Sequence, residues 1–142
     1  PGRLSEIMRL LSKLKTKIVF PVHPRTRKFF MNYNIKAGKN VILIEPAGYL
    51  NFICLEKNSK KIITDSGGIQ KEAYILKKPC ITLRPETEWI ETVRDGWNIL
   101  LDLNADTENL LDIINNFDPK NEQTDVFGSD VADKMVRLIE NF

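Results

Sequence analysis

Twelve consecutive residues, Ile62-Ile63-Thr64-Asp65-Ser66-Gly67-Gly68-Ile69-Gln70-Lys71-Glu72-Ala73, have the types and spacing most able to do chemistry. An apolar run breaks at Ser-Gly-Gly and resumes with helical character, which predicts a buried strand, a turn and a helix start. At such a start several backbone N–H groups lack intrahelical partners, and the positive end of the helix dipole adds to them. A phosphate fits there with little help from side chains. Two adjacent glycines let a bulky anion approach the backbone and permit positive φ. Glu72, four residues after Gly68, comes one turn along the same face. A carboxylate there would repel phosphate unless it reached past it to the hydroxyls of an attached ribose. The pattern therefore suits a diphosphate-linked nucleoside. The plainer alternative is a Gly-rich strand-to-helix turn with Ser66 as its cap.

Other residues could join such a site. His23, the only histidine, follows an apolar run and precedes Pro24, Arg25 and Arg27. It could donate to a pyrophosphate or move a proton near neutral pH, or simply cap a turn. Arg25 and Arg27 could clamp phosphate. Tyr49 and Phe52 open a predicted helix, where an aromatic ring could flank a flat base while backbone groups of residues 46–50 read its edge. Core packing accounts for Phe52 equally well. Arg84, Glu86 and Glu88 share a polar loop able to orient sugar hydroxyls or merely to be solvated. The sequence holds no Ser-His-Asp arrangement, no metal-ligand cluster and no Walker-type glycine loop; no metal or other cofactor is expected.

The elements that position these residues follow from the hydrophobic period, which alternates between helical and strand-like about every fifteen residues. Helices are predicted over 3–15 (Leu4, Ile7, Met8, Leu11 and Leu14 inward), from Arg25 to about Tyr33, over 48–58 (Leu50, Ile53 and Cys54 or Leu55 inward), from Gly67 to about Leu76, over Trp89–Arg94, Asp106–Phe117 and Ser129–Asn141. Strands are predicted at Lys17–Val22, Asn40–Glu45, Lys60–Thr64, Pro79–Leu83 and Trp97–Leu101. Apolar strands separated by amphipathic helices imply one α/β domain over 1–142, a three-layer Rossmann-like fold with a mostly parallel sheet covered on both faces. Ligands of such sheets bind beyond the carboxyl ends of the strands. His23, the Pro46–Tyr49 loop, Ser66-Gly67-Gly68 and Arg84–Glu88 all fall there.

Composition bounds the function classes. The chain has 142 residues, 42% hydrophobic and 28% charged, which suits a single globular domain. No apolar run reaches membrane-spanning length and no signal peptide is evident, so a cytoplasmic location without membrane attachment is expected. The start at Pro1-Gly2-Arg3, without Met, reads as a cut from a longer polypeptide. Cys54 and Cys80 read as core thiols of a reducing compartment. Net charge is only +2, yet residues 1–39 carry ten Lys and Arg against Glu6 alone, and residues 102–130 carry eight acids against Lys120 alone. The basic stretch lacks interleaved stacking aromatics, so a solvated face that focuses an anionic metabolite is expected rather than a nucleic-acid partner.

Several motifs together resemble one family. His23-Pro24-Arg25 with Arg27, Asn40 through Pro46, Tyr49-Leu50 with Phe52, Thr64 through Gln70 with Glu72-Ala73, Lys78-Pro79, Arg84, and Thr87-Glu88 occur in order. They are similar to the C-terminal domain of UDP-N-acetylglucosamine 2-epimerases, from about Leu4 to the chain's end. The resemblance implies one half of a two-domain enzyme of the GT-B type, with substrate in the cleft between two Rossmann-like domains. Such isomerases interconvert UDP-GlcNAc and UDP-ManNAc by eliminating UDP to a glycal and adding it back; some relatives release free ManNAc instead.

By that resemblance His23 would contact the diphosphate or assist the leaving group. Phe52 would lie by the uracil, Ser66, Gly67 and Gly68 would cradle the phosphates, and Glu72 would bind the ribose. Arg84 and Glu88 are the further substrate-binding candidates. Three departures stand out: Ala47 replaces a Gln frequent in the family, Trp89 replaces an Arg, and Gly128-Ser129-Asp130 stands where Gly-Asp-Gly is expected. Most acid/base carboxylates would belong to the absent N-terminal half, leaving this chain inactive alone; family members are commonly homodimers. Two other readings stay open: the donor-binding domain of a GT-B glycosyltransferase, and a non-catalytic UDP-sugar-binding module.

Overall fold

A computed structural model describes all residues except Pro1, Ala105, Ser129, Asn141 and Phe142. Helices and strands alternate from the start: α1 (Gly2–Ser12), β1 (Ile18–Pro21), α2 (Pro24–Asn32), β2 (Val41–Ile44), α3 (Tyr49–Asn58), β3 (Ile62–Thr64), α4 (Gly67–Ile75), β4 (Cys80–Thr82), α5 (Ile90–Arg94) and β5 (Asn98–Leu100). Two further helices, α6 (Thr107–Asn116) and α7 (Val131–Glu140), close the order. Each strand runs parallel to its neighbour, as expected of strands joined through helices. The expected ends at Ser129 and Asn141 lie outside the described residues.

One continuous sheet was expected, but hydrogen bonding divides the strands into β1-β2 and β3-β4-β5. Backbone chemistry supplies a reason. Ile18 N–H and Val22 N–H both donate toward β2, to Asn40 O and Ile44 O at 2.8 and 3.0 Å. The intervening odd residues must then offer their N–H groups to the opposite edge, and Pro21 has none. The two groups nevertheless share one core. Met8, Leu10, Leu11 and Leu14 pack with Val22, Phe30 and Val41, and with Ile81, Leu83, Leu101, Leu110 and Ile114. Ile81 and Met8 are almost fully buried, at 0% and 1% exposure.

Cover on both faces is incomplete. Val19 and Ile42, paired across β1 and β2, are both exposed. The expected inward face of α3 is also not observed: Leu50, Cys54 and Leu55 are exposed, Ile53 is half-buried, and the buried residue of this helix is Glu56. Apolar residues at 50, 52, 53, 54 and 55 surround this helix rather than forming a stripe, so its pattern alone could not choose a docking face. Cys80 is a core thiol as expected; Cys54 is not. Helix α7 exposes Met135, Val136, Leu138 and Ile139.

Two polar devices set the chain's path toward the site. Asn40 Nδ2 donates to both Leu11 O and Leu14 O at 2.9 Å, tying the last turn of α1 to the segment that follows it. Ser12 Oγ accepts from Gly38 N–H at 2.9 Å, so the α2–β2 loop presses directly on the end of α1. A Cβ on Gly38 would stand 2.6 Å from both Ser12 Cβ and Oγ. Gly38→Ala should therefore destabilise the fold by about 1–3 kcal/mol, read as a lower melting temperature; an unchanged melt would show that the loop moves away freely.

Candidate functional site

The turn after β3 leaves the first amides of α4 open. Ser66 N–H donates to Thr64 Oγ1 at 3.0 Å, bending the chain at the strand end. Ser66 is the N-cap of α4, yet its hydroxyl makes no cap hydrogen bond; the plainer reading, a serine that merely caps, does not hold. The first intrahelical bond is Gln70 N–H to Ser66 O at 3.2 Å. The amides of Gly67, Gly68 and Ile69 are thus left without a side-chain acceptor among the described residues, with the dipole behind them.

The two glycines serve space rather than dihedral freedom. Among described glycines only Gly96 and Gly128 have positive φ, a correction to the expectation for the Gly67-Gly68 pair. A Cβ on Gly68 would meet nothing closer than Ser66 Oγ at 3.9 Å, whereas one on Gly67 would lie 3.3 Å from Glu88 Oε2. The turn is therefore open at Gly68 and narrow at Gly67.

Glu88 comes from the loop after β4. Arg84 Nη1 donates to its two oxygens at 3.0 and 3.2 Å. The Glu88 backbone N–H, and then Arg84, hold this carboxyl below the usual carboxylate range. A guanidinium and a carboxylate thus flank the uncapped helix start. Trp89 is more than a lost arginine: its indole Nε1–H donates to Gly67 O at 2.8 Å. Its ring packs edge-on against Phe127 at 5.7 Å, and Lys71 Nζ lies 4.8 Å from its centroid. Phe127 is brought there because Tyr74 Oη donates to Asp95 Oδ2 at 2.5 Å and Thr124 Oγ1 donates to Asp95 Oδ1 at 2.6 Å. Burial first, and then Asp95, pushes the Tyr74 hydroxyl up to about 12.

The remaining candidates are not joined to this turn. His23, at the carboxyl end of β1, caps α2: its Nδ1 accepts from Arg25 N–H at 3.2 Å. In the neutral ring the proton then sits on Nε2, available to a ligand. Arg27 pairs with Glu45. Phe52 is half-buried on α3 and Tyr49 is exposed. No hydrogen bond or ion pair among the described residues links His23 or Phe52 to the α4 turn. A broad concavity of about 740 Å³ includes Lys60, Lys77, Lys78 and Trp97 in its lining. These residues precede β3, β4 and β5, so it lies at the strand ends opposite the α4 turn. Among the described residues no group of three or more His, Cys, Asp or Glu could hold a metal ion.

Sequence reasoning missed Glu56. It is 4% exposed, and neither carboxylate oxygen has a hydrogen-bond partner among the described residues. Burial, and then the Glu72 carboxylate, raise its pKa to about 7. No signal in the sequence marks it, because an acidic residue in a helix is ordinarily solvated. The ribose candidate Glu72 therefore has a second carboxyl beside it.

The sequence description of the UDP-N-acetylglucosamine 2-epimerase family matches residues 1–140. A protein of Methanococcus maripaludis named UDP-N-acetylglucosamine 2-epimerase homolog is 54% identical over 123 residues, 84% of this chain and 34% of that protein. Pseudomonas aeruginosa UDP-2,3-diacetamido-2,3-dideoxy-D-glucuronate 2-epimerase is 42% identical over 104 residues, 71% of this chain and 29% of that protein. Among solved structures, UDP-GlcNAc 2-epimerase of Methanocaldococcus jannaschii superposes with a TM-score of 0.85 at 39% identity, covering 99% of this chain and 41% of that one. The same organism's enzyme in complex with UDP-GlcNAc and UDP gives 0.81 at 38% identity, over 99% of this chain and 40% of that one. The chain thus spans about a third of the length of the first of these relatives.

The Glu56 carboxyl has a consequence for stability. Its folded pKa lies above its unfolded one, so its favourable contribution is complete below about 4.5 and is lost as pH rises through about 7. Glu56→Gln should therefore raise the melting temperature at about pH 8, with the gain shrinking as pH falls through that window. A gain independent of pH would count against a buried charge.

Proposed function

The chain belongs to the UDP-N-acetylglucosamine 2-epimerase family, and from that premise we propose that it is the UDP-binding, C-terminal half of a UDP-N-acetylglucosamine 2-epimerase. The whole enzyme would interconvert UDP-GlcNAc and UDP-ManNAc. The observation that carries this reading is the uncapped start of α4, whose free amides follow a serine with an unused hydroxyl. A diphosphate would settle on Ser66, Gly67 and Gly68. Arg84 would turn from Glu88 to the incoming phosphate charge, and Glu72 would accept from the ribose hydroxyls. His23 Nε2–H would donate to the leaving oxygen of UDP, lowering the cost of breaking the bond at carbon 1 of the sugar. Phe52 would flank the uracil.

Residues 1–142 would form one Rossmann-like domain, and the acid and base carboxylates that exchange the proton at carbon 2 are assigned to the part of the parent protein outside this chain. The second domain would complete a GT-B cleft, and the parent would work as a dimer. A cytoplasmic location suits a nucleotide-sugar substrate; among the described residues no helix is long and apolar enough to cross a membrane. The glucuronate-directed relative also takes a UDP-sugar by name. This chain would accordingly read the nucleotide that such substrates share and leave the sugar to residues elsewhere.

Titration of the chain with UDP, followed by heteronuclear NMR, tests the reading. Saturable shifts should centre on residues 66–72 and include His23 and Phe52. Glu72→Gln should weaken UDP about 10–100-fold, the worth of a hydrogen bond to a charged group. The same substitution should leave 2′-deoxy-UDP less affected. Equal losses for the two nucleotides would remove Glu72 from the ribose, and absence of shifts would remove the site.

A further inference from the structure

Gln70 is fully buried, at 0% exposure, one turn into α4. Its Oε1 accepts from Thr87 Oγ1 at 2.5 Å and from Asn98 Nδ2 at 3.1 Å. Around it the partners close on one another. Thr87 Oγ1 also accepts from Trp89 N–H at 3.0 Å, and Trp89 O accepts from Thr92 Oγ1 at 2.8 Å. Asn98 Nδ2 lies 3.1 Å from Thr92 Oγ1, while Asn98 Oδ1 accepts from Thr82 Oγ1 at 2.8 Å. The indole of Trp89 then returns to α4 through Gly67 O at 2.8 Å. The loop is thus held to α4 at two points, Thr87 on Gln70 and Trp89 on Gly67.

The amide N–H of Asn98 is a donor that cannot accept, so turning the Gln70 amide over would set two N–H groups against one another at that contact. Its Nε2 stays buried without a hydrogen-bond partner among the described residues, an arrangement kept only where the surrounding network over-determines it. Arg84 and Glu88 belong to the same loop, and Glu88 Oε2 stands 3.3 Å from the place of a Cβ on Gly67. An exposed charge pair would ordinarily be solvated and mobile; this one is set at the helix start by what lies beneath it.

We infer that Gln70 is a positioning residue that latches the Arg84–Trp89 loop onto the α4 N-terminus, so that Arg84 and Glu88 flank the Ser66–Gly68 turn. The consequence for nucleotide affinity rests on the UDP-binding reading above; the latch itself does not. Gln70→Met removes the acceptor, Gln70→Glu keeps an oxygen for Thr87 and Asn98, and Thr87→Val removes the partner from the loop side.

The experiment measures hydrogen exchange at the two indole N–H groups, together with UDP affinity and melting temperature, in the 142-residue chain. Trp97, whose indole donates to Asn121 O, is the internal reference. Gln70→Met and Thr87→Val should each speed exchange at Trp89 by about tenfold or more, leave Trp97 unchanged, and raise the UDP dissociation constant about tenfold. Gln70→Glu should restore slow exchange at Trp89. Unchanged Trp89 exchange in Gln70→Met overturns the latch, and a faster Trp89 with undiminished UDP binding overturns its consequence for the nucleotide. Should Gln70→Met fail to fold, Gln70→Ala, which also removes the acceptor, decides in its place. Absence of UDP binding by the unsubstituted chain would refute the nucleotide reading, and the latch would then stand or fall on Trp89 exchange.

Discussion

A helix that starts without a side-chain cap leaves its first amides to be answered from outside, and the surroundings of α4 are arranged about that requirement. Ser66 is turned by Thr64, and its own hydroxyl stays unused. Gly68 keeps the approach open, while Gly67 brings Glu88 close. Even the first-turn carbonyl of Gly67 is taken up by the Trp89 indole. The positive end of α4 is therefore exposed on one side and fastened on the other, a state that water can satisfy and that a diphosphate would satisfy better.

Carboxylates define the electrostatic side of the same ground. Glu88 stays charged beside Arg84, in reach of the helix start. Glu56 is held in the opposite condition, buried with no hydrogen-bond partner among the described residues and facing Glu72. The two acids differ by environment alone: one has a guanidinium and a backbone donor, the other a low-dielectric packing and a like charge. Protonation of Glu56 would relieve the repulsion between the two carboxyl groups.

The interior that supports this ground is polar where it matters. Gln70, Thr82, Thr92 and Asn98 are all at or below 1% exposure and lie between the apolar packing of the strands and the loop that bears Arg84 and Glu88. Apolar contacts have no preferred direction, so they could hold that loop near without setting its angle. Directional bonds to one amide oxygen fix both.

Much of the order was legible in the residues themselves. Apolar runs of strand length between amphipathic helices specify parallel strands, and Ser-Gly-Gly after such a run specifies a turn into a helix, because period and turn chemistry are local properties. Proline at 21 was equally visible, but its effect on a sheet edge required knowing which N–H groups face β2. Tertiary structure alone decided that α3 would bury Glu56 rather than Leu50 or Leu55. It alone decided that Trp89 would return to Gly67. Those outcomes depend on which side chains meet across distant stretches of chain, and no spacing along the sequence encodes a meeting in space.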